Sequence, residues 1–139
     1  MTDVAFPTAN TVSLGEALPK ISIPLTLQRL VMEAGANRDF SFIHHDREVA
    51  RSTGAPDTYA NTFFLMGLFE RQLREWIGPK GRIRKIGPMQ MLTFNCVGDV
   101  LELTGQVSDI LEDGSILLEQ EIKSERGITT KAVSRVELA

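Results

Sequence analysis

The 139-residue chain predicts an α+β domain in which a curved antiparallel sheet wraps round one long helix. Two observations carry that prediction. Beyond residue 82 apolar and polar residues alternate at a period of two, the mark of half-buried strands. Ahead of them, Thr58 to Ile77 is the longest helical pattern in the chain, closed by Gly78-Pro79. One half-buried helix followed by about four strands cannot bury itself by helix packing, so the sheet has to curl round it.

The elements follow in order. Residues 1–17 are small and polar without a sustained period and read as a loose arm; a single domain is expected over 18–139. Leu18 to Pro24 alternates Ile21 and Ile23 against Lys20 and Ser22, a short strand ended by proline. Thr26 can cap a helix whose apolar positions 27, 30, 31 and 34 share a face, with Gly35 as its stop. Gly54 to Asp57 reads as a loop. In the long helix, Tyr59 through Phe69 is apolar nearly all round, whereas Glu70, Arg71, Gln72, Arg74 and Glu75 surround Leu73, Trp76 and Ile77, so it is expected to begin buried and end at the surface. Leu101, Leu103 and Val107 share one strand face. Asp113-Gly114 makes a hairpin turn, Ile116, Leu118 and Ile122 share the next face, and Glu125-Arg126-Gly127 turns into a last strand from Ile128 to Leu138.

Composition bounds the function. Lys and Arg number 15 against 18 Asp and Glu, a net charge of −3, so there is no broad basic field to hold nucleic acid. The longest apolar stretch, Phe63 to Phe69, is far below the ~18 residues of a membrane span. Met1 to Pro7 shows no basic patch followed by an apolar core, so no secretory signal is read and the expected location is cytoplasmic. The single cysteine, Cys96, excludes an internal disulfide and a Cys-rich metal site. It has no basic neighbour to form a thiolate and reads as a packed thiol.

Reactive side chains are dense only in Arg38-Asp39-Phe40-Ser41-Phe42-Ile43-His44-His45-Asp46, which holds both histidines. A carboxylate and an imidazole five positions apart across a bend can converge on one water, as addition to a double bond requires. Phe40, Phe42 and Ile43 would dry the site, pushing the carboxyl pKa up and the imidazole pKa down. On the residues alone an alternative stands beside this: Asp39 caps a turn and His44 is a hydrogen-bonded core histidine. His44-His45-Asp46 makes a poor metal site, because adjacent side chains diverge and no further Cys or His completes it. Ser41 and Ser52 lack the Gly-x-Ser-x-Gly setting of a nucleophile. Lys80, Arg82, Arg84 and Lys85 form the one basic cluster, either a contact for phosphates or a solvated strand edge. Phe63, Phe64, Met66 and Phe69 are core residues first and an acyl pocket second.

The segment Asp39-x-x-x-Ile43-His44-x-Asp46-x-x-x-Ala50 resembles the signature of MaoC-like, or R-specific, enoyl-CoA hydratases. Their pattern is Gly-Asp-x-Asn-Pro-Ile/Leu-His with an Ala six positions later; here Arg38 stands for the Gly, Ser41 for the Asn and Phe42 for the Pro. Arg38-Asp39-Phe40, His44-His45-Asp46-Arg47, Asp57, Asn61, Gly67-Leu68, Trp76-x-Gly78-Pro79 and Ile83-Arg84-x-Ile86-Gly87 resemble the small subunit of steroid side-chain enoyl-CoA hydratases, over residues 18–138. Tyr59-Ala60-Asn61-Thr62 is similar to the segment entering that family's central helix, with Thr62 where relatives have glycine.

The resemblance implies a hot-dog fold and hydration of a trans-2-enoyl-CoA to a 3-hydroxyacyl-CoA, or the reverse dehydration. Asp39 and His44 would be the catalytic pair, and the backbone N–H groups of Asn61, Thr62 and Phe63 the donors to the thioester oxygen. Phe40, Phe42, Tyr59, Arg82 and Arg84 would contact substrate; on the residues alone, His45 and Asp46 simply orient the loop. It implies no metal and no cofactor beyond the coenzyme A carried by the substrate. The expected assembly is a homodimer, or a heteromer with another MaoC-like chain, with the acyl-CoA tunnel between protomers. Two alternatives stand beside it: a hot-dog acyl-CoA thioesterase, which needs a carboxylate near the thioester carbonyl, and a subunit active only with a second hot-dog chain.

Overall fold

The period-two segments form one five-stranded antiparallel sheet. The computed structural model describes residues 6–139. Its strands are β1 (Ile21–Pro24), β2 (Arg82–Met91), β3 (Val100–Ile110), β4 (Ile116–Ser124) and β5 (Gly127–Glu137), in the spatial order β1-β3-β4-β5-β2. β3, β4 and β5 make the expected meander. β2 lies on the far side of β5, with Arg82 opposite Glu137 and Met91 opposite Thr130, so a ten-residue strand forms one edge of the sheet.

Three helices precede and underlie the sheet: α1 (Leu27–Ala36), α2 (Arg47–Ser52) and α3 (Thr62–Ile77). Leu65, Leu68 and Phe69 of α3 pack with Leu101, Leu103 and Ile122 in one apolar cluster, while Leu73, Trp76 and Ile77 pack with Val107, Ile116, Leu118 and Val136 in a second. Each fully covered side chain of this size contributes about 1.5–3 kcal/mol, so the sheet-to-helix layer dominates the fold. Polar groups also enter this layer. Gln120 Nε2 donates to Gln72 Oε1 at 2.9 Å and to the Phe69 carbonyl at 3.2 Å; Ser134 Oγ donates to Gln120 Oε1 at 2.7 Å. Every buried side-chain N or O among the described residues has such a partner, as burial away from water demands.

The structure corrects the expected helices. The long helix begins at Thr62 rather than Thr58: Ala60 N–H bonds to the Asn95 carbonyl (2.9 Å) and Val97 N–H to the Thr58 carbonyl (2.8 Å), which holds residues 58–60 extended. Asn61 then caps α3 by accepting from Phe64 N–H. Nor does α3 begin buried, for Phe63 is 64 % exposed. α1 runs through Gly35 to Ala36 and ends on Asn37; Thr26 caps it as expected, and Leu30 and Ala34 are buried, but Leu27 and Val31 are exposed. α2 was not expected; Asp46 Oδ1 caps it by accepting from Glu48 and Val49 N–H.

Part of the 1–17 arm lies outside the described residues. The rest is tied down: Gly15 N–H donates to the Val107 carbonyl and Val107 N–H to the Glu16 carbonyl, both at 2.9 Å, and Trp76 Nε1–H donates to Glu16 Oε1 at 3.1 Å. Among the described residues no helix is long and apolar enough to cross a membrane.

Candidate active site

The end of α1 aims the carboxylate. Arg38 takes a left-handed backbone (φ 56°), and Asp39 N–H closes back on the Ala34 carbonyl at 2.9 Å, a helix stop of the kind glycine usually makes. The similar family has glycine at this position, and the positive φ supplies the physical reason. Asp39 Oδ1 then accepts from Ser41 N–H at 3.3 Å. A 3₁₀ turn over Phe42–His44 carries the histidine inward, where it is only 2 % exposed.

The two groups meet: His44 Nε2 lies 2.9 Å from Asp39 Oδ2, and His44 Nδ1 lies 2.6 Å from the Tyr59 carbonyl. A carbonyl only accepts, so Nδ1 carries a proton, which fixes the ring's orientation. In the neutral ring Nε2 would then be a bare acceptor facing a carboxylate oxygen. At 2.9 Å these two atoms can bond only with one proton between them. Such a pair can give one proton and take another.

Asn61 joins this pair to α3. Its Nδ2 donates to Asp39 Oδ2 at 3.3 Å while its Oδ1 accepts from Phe64 N–H at 2.8 Å. Its backbone N–H, expected to face substrate, is instead given to Glu33 Oε1 at 3.2 Å. That removes Asn61 from the expected set of three donors. Thr62 and Phe63 N–H open the helix with no partner among the described residues, at an end that carries about half a positive charge.

The electrostatics also differ from expectation. Burial pushes the Asp39 carboxyl upward, but the Ser41 N–H, the adjacent His44 and the Asn61 amide outweigh it and hold it below the usual carboxylate range. The side chain is one-third exposed, so drying is too weak to win. Glu33 goes the other way: burial raises it, against the Asn61 N–H and Asn37 amide. Burial likewise pushes up the Cys96 thiol, which is fully covered and suits the packed thiol expected.

The expected contact residues separate. Tyr59 borders the pair, edge-on to His44 with ring centres 5.8 Å apart. Together with Ala60, Met91, Leu92, Thr93, Phe94 and Asn95 it lines a cleft of about 350 Å³. Phe40 and Phe42 do not dry the site within this chain, being 75 % and 63 % exposed. Arg82 and Arg84 are not at the site of their own chain. They lie toward the opposite end of β2 from Met91, which at about 3.3 Å per residue puts Arg82 roughly 30 Å and Arg84 roughly 23 Å away. Both nitrogens of the Arg84 fork are held by Glu137, at 2.6 and 2.7 Å.

Sequence reasoning missed Glu33, the side chain of Asn61 and the Tyr59 carbonyl. One signal for Glu33 was present, since it lies three positions after Leu30 and one before Ala34, on the rim of the buried stripe of α1.

Comparison with known proteins gives a consistent set of relatives. No protein-family model matches the chain. The 3-oxo-4,17-pregnadiene-20-carboxyl-CoA hydratase beta subunit of Mycobacterium tuberculosis is 31 % identical over 103 residues, 74 % of this chain and 78 % of that one. Among solved structures, the ChsH1-ChsH2 complex from Mycobacterium tuberculosis superposes with a TM-score of 0.86 at 26 % identity, over 92 % of this chain and 99 % of that one. The (R)-hydratase of A. caviae involved in PHA biosynthesis gives 0.83 at 19 % identity, over 93 % and 98 %, a likeness of fold.

Proposed function

Because the chain belongs to the MaoC-like enoyl-CoA hydratase family of the hot-dog fold, we propose that it adds water across the double bond of a trans-2-enoyl-CoA, or removes it in reverse, with Asp39 and His44 as the acid–base pair. The observation that carries this is the 2.9 Å contact between His44 Nε2 and Asp39 Oδ2, with Nδ1 already committed to the Tyr59 carbonyl. A water beside this pair loses a proton to it as its oxygen bonds to Cβ. The proton the pair already held goes to Cα. The pair begins and ends with one shared proton, so no other acid or base is needed.

Electron density moves onto the thioester oxygen as Cβ is attacked. The Thr62 and Phe63 N–H groups, at the positive end of a 16-residue helix, are the donors suited to it. One such donor is worth roughly 3 kcal/mol of barrier, and a positioned acid or base about 10²–10⁴-fold in rate. The acyl group has the Tyr59–Phe94 cleft to enter. Thioester hydrolysis is the weaker reading, because a hot-dog thioesterase needs only a carboxylate near the thioester carbonyl, whereas the similar curated protein is a CoA-thioester hydratase subunit.

The site also needs a second hot-dog chain. Phe40, Phe42, Phe63, Met91 and Leu92 are all exposed apolar residues on the segments that border the pair and its cleft, and a solved relative is a complex of two chains. The ten-residue edge of β2 offers the seam. Antiparallel pairing of two such edges would run the arginine end of one copy past the Met91 end of the other, returning Arg82 and Arg84 to a site as contacts for coenzyme A phosphates.

A panel of enoyl-CoA thioesters of increasing bulk tests the reading, with solution mass measured alongside. Hydration predicts loss of enoyl absorbance without release of thiol. Thiol release from a saturated acyl-CoA, or full activity from a monomer, would count against it.

A further inference from the structure

Glu33 touches the site from outside the pair. It sits on α1, 28 positions before Asn61, yet its Oε1 accepts the Asn61 backbone N–H at 3.2 Å and its Oε2 accepts from Asn37 Nδ2 at 3.1 Å. Asn37 Nδ2 also reaches Asn61 Oδ1 at 3.5 Å. The chain of contacts runs from Glu33 to Asn61, from Asn61 to Asp39, and from Asp39 to His44. We propose that Glu33 is a positioning residue for the acid–base pair: its carboxylate clamps the cap of α3 to α1 and so keeps the Asn61 amide on Asp39.

The geometry leaves few other roles for it. Asn61 spends Oδ1 on Phe64 N–H and Nδ2 on Asp39, so its side chain serves both partners only while its backbone stays put. Glu33 fixes that backbone. The groups facing Glu33 are Asn37 and Asn61, the ionisable Asp39 just past the end of α1 and His44 in the 3₁₀ turn, and Arg29 one turn earlier on α1, whose Nη1 is engaged by the Pro24 carbonyl at 2.6 Å. Burial disfavours the charge on Glu33 and Asp39 opposes it further. A carboxylate kept against such costs fits a role in the site more readily than one in holding the fold.

The kinetic consequence rests on the hydratase reading, and a substrate-free measurement stands apart from it. Kinetically, Glu33→Ala should lower kcat about tenfold by loosening Asp39 while KM stays within about twofold. Glu33→Gln keeps an acceptor for Asn61 N–H and should recover most of that loss near neutral pH. Its acid limb should coincide with that of the native chain, because a protonated Glu33, like Gln, still offers a carbonyl oxygen to the Asn61 N–H. Equal kcat in all three proteins, or a Glu33→Gln variant no more active than Glu33→Ala, would overturn the role.

Without substrate, the Asn61 amide resonances of labelled protein report the clamp across roughly pH 4 to 8. The backbone amide should titrate with Glu33 in the native chain and stay flat in Glu33→Gln. The side-chain amide should shift in Glu33→Ala as its bond to Asp39 loosens. Should every enoyl-CoA fail both with this chain and with its complex with a second hot-dog chain, the hydratase reading falls, and these resonances still decide the clamp. Asn61 signals that ignore both substitutions would overturn it.

Discussion

The Tyr59 carbonyl accepts from His44 Nδ1 at 2.6 Å and so leaves only Nε2 of the ring free to face Asp39. An amide in place of either partner ends the sharing of a proton. Asp39→Asn and His44→Gln are each expected to lower kcat about 10²–10⁴-fold. Removing both should cost little more than removing one, since the two act as a unit. Enoyl-CoA hydration assays on folded protein, checked by circular dichroism, measure this. Additive losses in the double variant would break the pairing.

Stability should respond to pH in opposite senses at two carboxylates. Asp39 lies below its ordinary value near 3.8, so its ionised form stabilises the fold above that value, and the contribution is lost as pH falls toward the folded pKa. Glu33 lies above its ordinary value near 4.5. Its ionised form costs stability above the raised pKa, and the cost fades as pH falls to 4.5. Glu33→Gln should therefore raise Tm at pH 7–8, with the gain vanishing in acid, and Asp39→Asn should lower Tm at neutral pH and match the native chain in strong acid. Thermal melts across pH decide both. A Glu33→Gln variant that melts lower at neutral pH would contradict the sign.

What was legible in the sequence was what local patterning controls. Leu101, Leu103 and Val107, then Ile116, Leu118 and Ile122, fall on the core face because alternation alone puts them there. Asp39 and His44 were legible because five positions across one bend is a local spacing. The start of α3 was not. Tyr59 and Ala60 continue the apolar pattern into the helix, and only the distant Asn95 and Cys96, paired with residues 58–60, show that the chain there is extended. The role of Glu33 was hidden for the same reason, its partner Asn61 being 28 residues away, although its place on the rim of the buried stripe of α1 was legible. Phe63 was read as core because its apolar character is real. The surface that would cover it is not part of this chain's own fold.

Phe63 is the most direct probe of that surface. It is 64 % exposed in the first turn of α3 and makes no part of either core cluster. Phe63→Arg should leave the protomer's Tm within about 2 °C, as for surface changes generally. It should lower the mass in solution toward that of a single chain, because a buried unpaired charge in an interface costs several kcal/mol. Light scattering and enoyl-CoA turnover on the same sample read the two effects together. Unchanged mass with unchanged turnover would remove Phe63 from the interface.

Arg38 carries strain that a smaller residue would relieve. Its φ of 56° brings Cβ close to the following carbonyl, a cost of roughly 1–2 kcal/mol that glycine does not bear. Glycine gives back part of the gain through the freedom of its unfolded chain. Arg38→Gly should therefore stabilise the domain by about 0.5–1 kcal/mol. The gain should be independent of salt, since it comes from backbone geometry rather than from the lost charge. Asp39 hangs from the same turn, its N–H bonded to the Ala34 carbonyl, so relief of strain that preserved the turn would leave kcat intact. A stabilised variant with lower kcat would mean instead that the strained residue helps to hold Asp39 toward His44. Urea unfolding at low and high salt, with kcat measured in parallel, separates these outcomes. A loss of stability would show that the Arg38 side chain supplies more than its backbone costs.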